Sequence, residues 1–142
     1  MIARPAGAAD SALLLTWRND PLTRANSVNQ DAVAEADHQR WLAGVLTDPD
    51  RSLWIVEEDE PLGVVRFDRT EGDEFEVSVT VAPAARGRGL ARSILMTAQA
   101  QARPARIIAR VREDNHASLR LFESAGYVAT GQTDGDFVFY RY

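Results

Sequence analysis

The segment from Val77 to Ala91 reads as a strand that passes through a basic, glycine-rich turn into a helix. Val77, Val79 and Val81 alternate with Ser78 and Thr80 at the period of a strand. Pro83 ends the ladder, and apolar residues return at helical spacing at Leu90, Ile94, Leu95 and Ala98. The turn therefore sits at a helix N-terminus, where the first N–H groups lack intrahelical partners and the helix dipole is positive. Both features favour an anion. Gly87 and Gly89 let its oxygens approach the main chain, and Arg86, Arg88 and Arg92 add charge, so the turn is expected to cradle a phosphate. Spacing narrows the possibilities. No Gly-Lys-Ser/Thr element follows, which excludes a Walker loop, and Arg86 to Ala91 has only two glycines before Leu90, with no acidic residue near Ala109 to Val111 to hold a ribose.

Arg86, Gly89 and Ala91 do match Arg/Gln-x-x-Gly-x-Gly/Ala. Downstream, Asn115-His116-Ala117-Ser118-Leu119-Arg120-Leu121-Phe122-Glu123-Ser124-Ala125-Gly126-Tyr127 matches Asn-x-x-Ala/Ser-x-x-Leu-Tyr/Phe-x-x-x-Gly-Phe/Tyr. The two linked patterns, in this order, resemble the cofactor signature of the GNAT superfamily of acetyl-CoA-dependent N-acetyltransferases.

The remaining elements are consistent with one domain spanning residues 1–142. Ile2 to Pro5 reads as a short strand, Ala8 to Arg18 as a helix, the Asn-rich stretch after it as a loop, and Ala34 to Leu46 as a second helix. Strands follow at Ser52 to Glu57, Leu62 to Asp68 and Phe75 to Val81. After the central helix come a strand at Ile107 to Val111, a helix at Ala117 to Ala125 stopped by Gly126, and strands at Tyr127 to Gly131 and Phe137 to Tyr142. The order β-α-α-β-β-β-α-β-α-β-β implies an α+β domain with a mixed, mostly antiparallel sheet flanked by helices. The apolar strand at Phe137 to Tyr142 is expected at a sheet edge, where it offers a route to a homodimer.

Charge and composition restrict the partners. The net charge is −5, and Glu57-Glu58-Asp59-Glu60 forms an acidic cluster, so neither nucleic acid nor an anionic membrane is an expected partner. No run approaches the roughly 18 apolar residues of a membrane span. The first residues lack a charged region followed by an apolar one, so a cytoplasmic location is expected. The chain has 0 cysteines, and its 16 basic residues are all arginine, which rules out a cysteine nucleophile and lysine-based covalent catalysis. Nothing in the sequence calls for a metal.

The GNAT resemblance implies its fold, in which the strand before the glycine-rich loop splays from the next strand and the pantetheine arm of acetyl-CoA enters the gap. It implies cofactor contacts from the main chain of Val79 and Val81, from the loop Arg86, Gly87, Arg88, Gly89, Leu90 and Ala91, and from Asn115 and position 122. It also implies transfer of acetyl to a primary amine, with Glu76 as candidate base and Ser78, on the same strand face, orienting a water or the amine. Many family members carry Tyr where this chain has Phe122, and phenylalanine cannot protonate the leaving thiolate. Tyr127, Tyr140, Tyr142 and Ser124 are the alternative hydroxyls.

The N-terminal half is expected to bind the acceptor. Trp17-Arg18-Asn19-Asp20-Pro21, the Arg24-to-Gln30 stretch with Asn29, His38-x-x-Trp41 and Val64-Val65-Arg66-Phe67-Asp68 resemble the nucleotide-sugar amine acetyltransferases of the pseudaminic acid pathway. That likeness implies a UDP-linked amino-deoxy sugar as acceptor, with Arg18, Arg24 or Arg66 on the diphosphate, Trp17 or Trp41 packed on a ring, and His38 nearby. Ribosomal-protein acetyltransferases share the Arg-Asn and His-x-x-Trp elements, so a protein N-terminus is the alternative acceptor. A non-catalytic acyl-CoA sensor is a third reading.

Overall fold

The computed structural model describes residues Met1–Tyr142. Seven strands form one sheet: β1 (Ile2–Pro5), β2 (Arg51–Glu58), β3 (Glu60–Glu71), β4 (Glu74–Val81), β5 (Arg106–Arg112), β6 (Val128–Asp134) and β7 (Phe137–Arg141). Five helices flank it: α1 (Ser11–Arg18), α2 (Pro21–Asn26), α3 (Glu35–Thr47), α4 (Ala91–Ala102) and α5 (His116–Ser124). The strand order is β1-β2-β3-β4-β5-β7-β6, and every neighbouring pair is antiparallel except β4–β5. This is the expected α+β architecture.

Period-two alternation divides the sheet into two faces. Val65, Phe67, Val77, Ile107, Ala109 and Val111 are buried on the α4–α5 side, where α4 contributes Ile94, Leu95 and Ala98 from one helical stripe. On the opposite face α1 and α3 cover β2 and β3. Helix α3 buries His38, Leu42 and Val45, an i, i+4, i+7 stripe in which an imidazole occupies a core position. Arg4 on β1 fixes the start of α1 through two hydrogen bonds of 3.0 and 2.9 Å to Asp10.

Two expectations are corrected. Strand β7 is not an edge: it lies between β5 and β6, because it must cover the apolar β5 on one side, and β6 takes the exposed outer position. The proposed route to a dimer through Phe137–Tyr142 is therefore closed. The stretch after Arg18 contains a helix, α2, with Asp20 as N-cap accepting from the Thr23 N–H and Pro21 at the first helical position. Residues 27–34 then form a strap. Arg18 donates to the Asn29 carbonyl at 2.6 Å, Arg24 to Gln30 at 3.1 Å and Arg112 to Ser27 at 2.9 Å, while Asn19 makes two 2.8 Å bonds with the Val33 main chain.

Candidate active site

Strands β4 and β5 pair only from Glu74–Arg106 to Glu76–Ile108 and then diverge. Beyond Glu76 the β4 main chain has no strand on its β5 side. Which of its groups face the opening follows from the register. The Ala82 N–H donates to the Leu62 carbonyl at 2.8 Å, toward β3, so alternation turns the main-chain groups of Val81 and Val79 into the gap. Their side chains pack against the core. The splay agrees with the expected fold.

At the end of β4, Gly87 and Gly89 adopt φ of 74° and 70°, conformations that a side chain disfavours, and a Cβ at either position would meet nothing within 4 Å. The glycines therefore serve backbone shape rather than space. Leu90 is the N-cap of α4 and offers no side-chain acceptor, which leaves the first N–H groups of the helix available to an anion. Arg88 is exposed, 3.9 Å from Glu60. Arg86 turns away from the cradle: it donates to Asp20 at 2.6 Å and to Thr23 at 3.1 Å, tying the loop to the N-terminus of α2. The guanidinium holds the Asp20 carboxyl below its ordinary value. Asn115 caps α5 by accepting from the Ser118 N–H at 3.2 Å, which commits its oxygen and leaves its amide as a donor.

Across the sheet from α4 lies a cavity of about 380 Å³, walled by α1, α3 and the strands β2 to β4. Leu14, Trp17, Val33, Trp41, Leu53 and Val64 supply apolar surface, and Arg18, Asp37, His38, Arg66, Ser78 and Thr80 supply polar groups. Trp17, Arg18, His38, Trp41, Arg66 and Ser78 were expected from sequence. Thr80 was not, although its alternation with Ser78 was visible. The cavity and the gap share β4, since Ser78 and Thr80 face the cavity while the main chain between and beyond them faces the gap.

The cavity is rich in positive charge. Burial, then the charges of Arg24 and Arg66, push the Arg18 guanidinium below its usual range, and its Nη1 is buried without a partner. Arg66 donates to Asp68 at 2.8 Å, but Asp68 also accepts from Arg51 at 2.9 Å, so one carboxylate serves two cations. Both guanidiniums lie over Trp41, at 5.5 Å for Arg66 and 5.9 Å for Arg51. His38 is 3% exposed, 5.4 Å from Trp41, and its Nδ1 has no hydrogen-bond partner. Burial and the Arg18 charge lower its pKa below 6.5.

Other expected residues lie elsewhere. Glu76 pairs with Arg110 at 3.6 Å, at the last joined position of β4 and β5, and does not line the cavity. Arg24 and Asn29 serve the strap, the Asn29 side chain accepting from the Asp31 N–H at 3.0 Å. Phe122 is buried in the core, 5.0 Å from Tyr127. Three of the four alternative hydroxyls are engaged: Tyr127 donates to Gln99 at 2.8 Å, Tyr140 to Glu123 at 2.7 Å and Ser124 to the Leu121 carbonyl at 2.8 Å, while the fourth, Tyr142, is exposed beside Tyr127. Burial raises the Tyr127 pKa, and the Glu123 carboxylate raises that of Tyr140.

A sheet split beside a glycine-rich helix start, with a cavity on the other face of the same strand, sets an anion-binding turn next to room for a second ligand. The sequence matches the acetyltransferase (GNAT) domain over residues 1–128, and the chain belongs to that family. The chain is 39% identical over 70 residues to the N-alpha-acetyltransferase RimI of Mycobacterium tuberculosis, a match covering 49% of this chain and 44% of that protein. It thus spans less than half the length of that relative. Among solved structures, the ribosomal-protein-alanine N-acetyltransferase of Brucella melitensis superposes with a TM-score of 0.79 at 26% identity, covering 100% of this chain and 99% of that one. An acetyltransferase from Salmonella typhimurium, solved with acetyl-CoA, superposes at 0.80 with 26% identity, covering 100% and 92%. No helix is long and apolar enough to cross a membrane.

Proposed function

We propose that this acetyl-CoA-dependent enzyme acetylates the amine of a small anionic acceptor, specifically the 4-amino group of a UDP-linked amino-deoxy sugar. The observation that carries the reading is Arg18, a half-buried cation whose Nη1 is buried without a partner, in the same cavity as Arg66. Two poorly neutralised guanidiniums favour phosphate or carboxylate oxygens, which accept their forked N–H groups. They disfavour a polyamine, whose own charges would meet like charge. Trp17 and Trp41 give flat apolar walls suited to a sugar or base ring.

On the donor side, the α4 N-terminus with Gly87 and Gly89 receives the pyrophosphate of acetyl-CoA, the main chain of Val79 and Val81 pairs with the pantetheine amides, and the Asn115 amide meets them from the opposite wall. Ser78 stands between thioester and acceptor. Phe122 brings no proton donor, so main-chain N–H groups or water stabilise the departing thiolate.

The likeness to RimI and to the Brucella protein supports a second reading, acetylation of a protein N-terminus. Release of thiol from acetyl-CoA, measured against UDP-linked amino sugars, alanyl peptides and spermidine, separates the two. Selective turnover of the UDP-linked 4-amino sugar is expected. Selective turnover of the peptides replaces the first reading with the second, and selective turnover of spermidine overturns both.

A further inference from the structure

We propose that His38 is the catalytic proton acceptor, its imidazole taking the proton that the acceptor nitrogen sheds as it attacks the thioester. The inference rests on the reading that the cavity beside β4 holds the acceptor.

Three observations support it. His38 occupies a core position of the α3 stripe, where Leu42 and Val45 continue the same face, yet beyond its contact with the Trp41 ring it lines a cavity. A buried histidine kept for structure would hydrogen-bond through its ring, but Nδ1 is buried without a partner and Nε2 makes no hydrogen bond either, which leaves Nε2 as the nitrogen open to the cavity. With the neutral ring's proton on Nδ1, Nε2 holds the lone pair. The cavity wall opposite is β4 at Ser78 and Thr80, directly beyond the point where β4 leaves β5.

The charges around the ring keep that lone pair free. Arg18 faces it from α1, Arg66 from β3 and Arg51 from β2 across Trp41, while β4 contributes the uncharged Ser78 and Thr80. Asp68 is shared by two of these arginines, and Asp37 on the same helix is exposed and ion-paired to Arg40. Such a field disfavours an imidazolium and equally disfavours an ammonium on the incoming acceptor, so both nitrogens are biased to their neutral forms. Glu76 is worse placed. Its carboxylate is paired with Arg110 where the strands are still joined.

The step balances. The amine lone pair forms the N–C bond, the C–S bond breaks with its electron pair on sulfur, and the nitrogen's proton moves to His38. The imidazolium returns that proton through water to the thiolate, so amine and thioester become amide and thiol.

Two arms test the assignment. In the first, the pH profile of kcat is measured by thiol release for the wild type, His38→Gln and Glu76→Gln, with the UDP-linked 4-amino sugar and an alanyl peptide in parallel. His38→Gln is expected to lower kcat by about 100-fold or more, to leave acetyl-CoA affinity intact and to erase the acidic limb. Glu76→Gln should keep that limb. A limb that survives in His38→Gln, or vanishes in Glu76→Gln, overturns the proposal. The second arm needs no acceptor: the chain has 2 histidines, so imidazole NMR of the wild type with acetyl-CoA follows His38 directly, with His38→Gln assigning the signal. A neutral ring titrating below 6.5 is expected, and an imidazolium at neutral pH overturns the proposal. Failure of the acceptor reading shows differently, as turnover of the peptide alone, while the titration still decides the role of His38.

Discussion

On the β4–α4 side of the proposed site, the groups left open by the strand splay and the glycine-rich turn belong to the main chain: the amides of Val79 and Val81, the turn at Gly87 and Gly89, and the first N–H groups of α4. On the α1–α3 side they are side chains drawn from five elements, with Arg18, His38 and Arg66 separated in sequence by whole strands and helices. The difference teaches what each half can tolerate. A main-chain cradle depends on conformation and is indifferent to most side chains, whereas a side-chain pocket changes specificity with each residue while its backbone stays in place. Arg86 joins the halves, because its bond to Asp20 links the cradle to the helix that precedes the strap.

The sharpest way to break this contrast is Gly89→Glu. At φ of 70° a side chain costs about 1–2 kcal/mol, and the carboxylate adds negative charge where phosphate is expected. Since a Cβ there meets no neighbour within 4 Å, the fold should survive. Acetyl-CoA affinity measured by calorimetry is expected to fall about 100-fold or more, given that each 1.4 kcal/mol is roughly a factor of ten. Undiminished affinity would remove the loop from the cofactor site and leave the two halves indistinguishable.

Arg18→Gln probes the other half with a smaller effect. A hydrogen bond to a charged group contributes about 1.5–3 kcal/mol, so KM for an anionic acceptor should rise by roughly 10- to 100-fold. Acetyl-CoA affinity should hold, as should KM for an uncharged primary amine. A parallel rise for the uncharged amine would mean that Arg18 shapes the pocket through the strap, by its bond to the Asn29 carbonyl, and does not read charge.

The same contrast explains what could be read in the sequence. The local structure of the β4–α4 half was legible because its determinants are local: the alternating valines, the proline stop, the two glycines and the Asn115 cap lie within or beside single elements. Even there, residue type misled at Arg86, whose charge suggested phosphate while its partner, Asp20, lies 66 positions away. In the acceptor half Trp17, Arg18, His38, Trp41 and Arg66 converge as expected, but Arg24 and Asn29 turn to carbonyls of the strap. Their partners are fixed only once α2 exists, and α2 was announced by Asp20-Pro21 yet obscured by the asparagines around it. The β7 position was hidden for a similar reason, since an apolar strand near the C-terminus looks the same at an edge or inside a sheet.

The smallest effect concerns stability in mild acid, and it sharpens the view that the acceptor pocket is held by side-chain electrostatics. Burial and Arg18 lower the His38 pKa in the folded chain below the 6.5 expected once the chain unfolds. The unfolded state therefore binds a proton first. Above 6.5 both states are neutral at this residue and the native state keeps its full stability; as pH falls from 6.5 through the folded pKa, protonation pulls the equilibrium toward the unfolded chain, and below the folded value the loss levels off. Denaturant midpoints of wild type and His38→Gln, compared across that window, should show the wild type losing stability relative to the variant as pH falls, because only the wild type loses this contribution. The other titratable groups are common to both proteins, so they cancel in the comparison. A constant difference between the two curves would mean that folding leaves the His38 pKa at its unfolded value, with a partner in solution offsetting burial, and the cavity would then lack the unpartnered imidazole that separates it from the main-chain half.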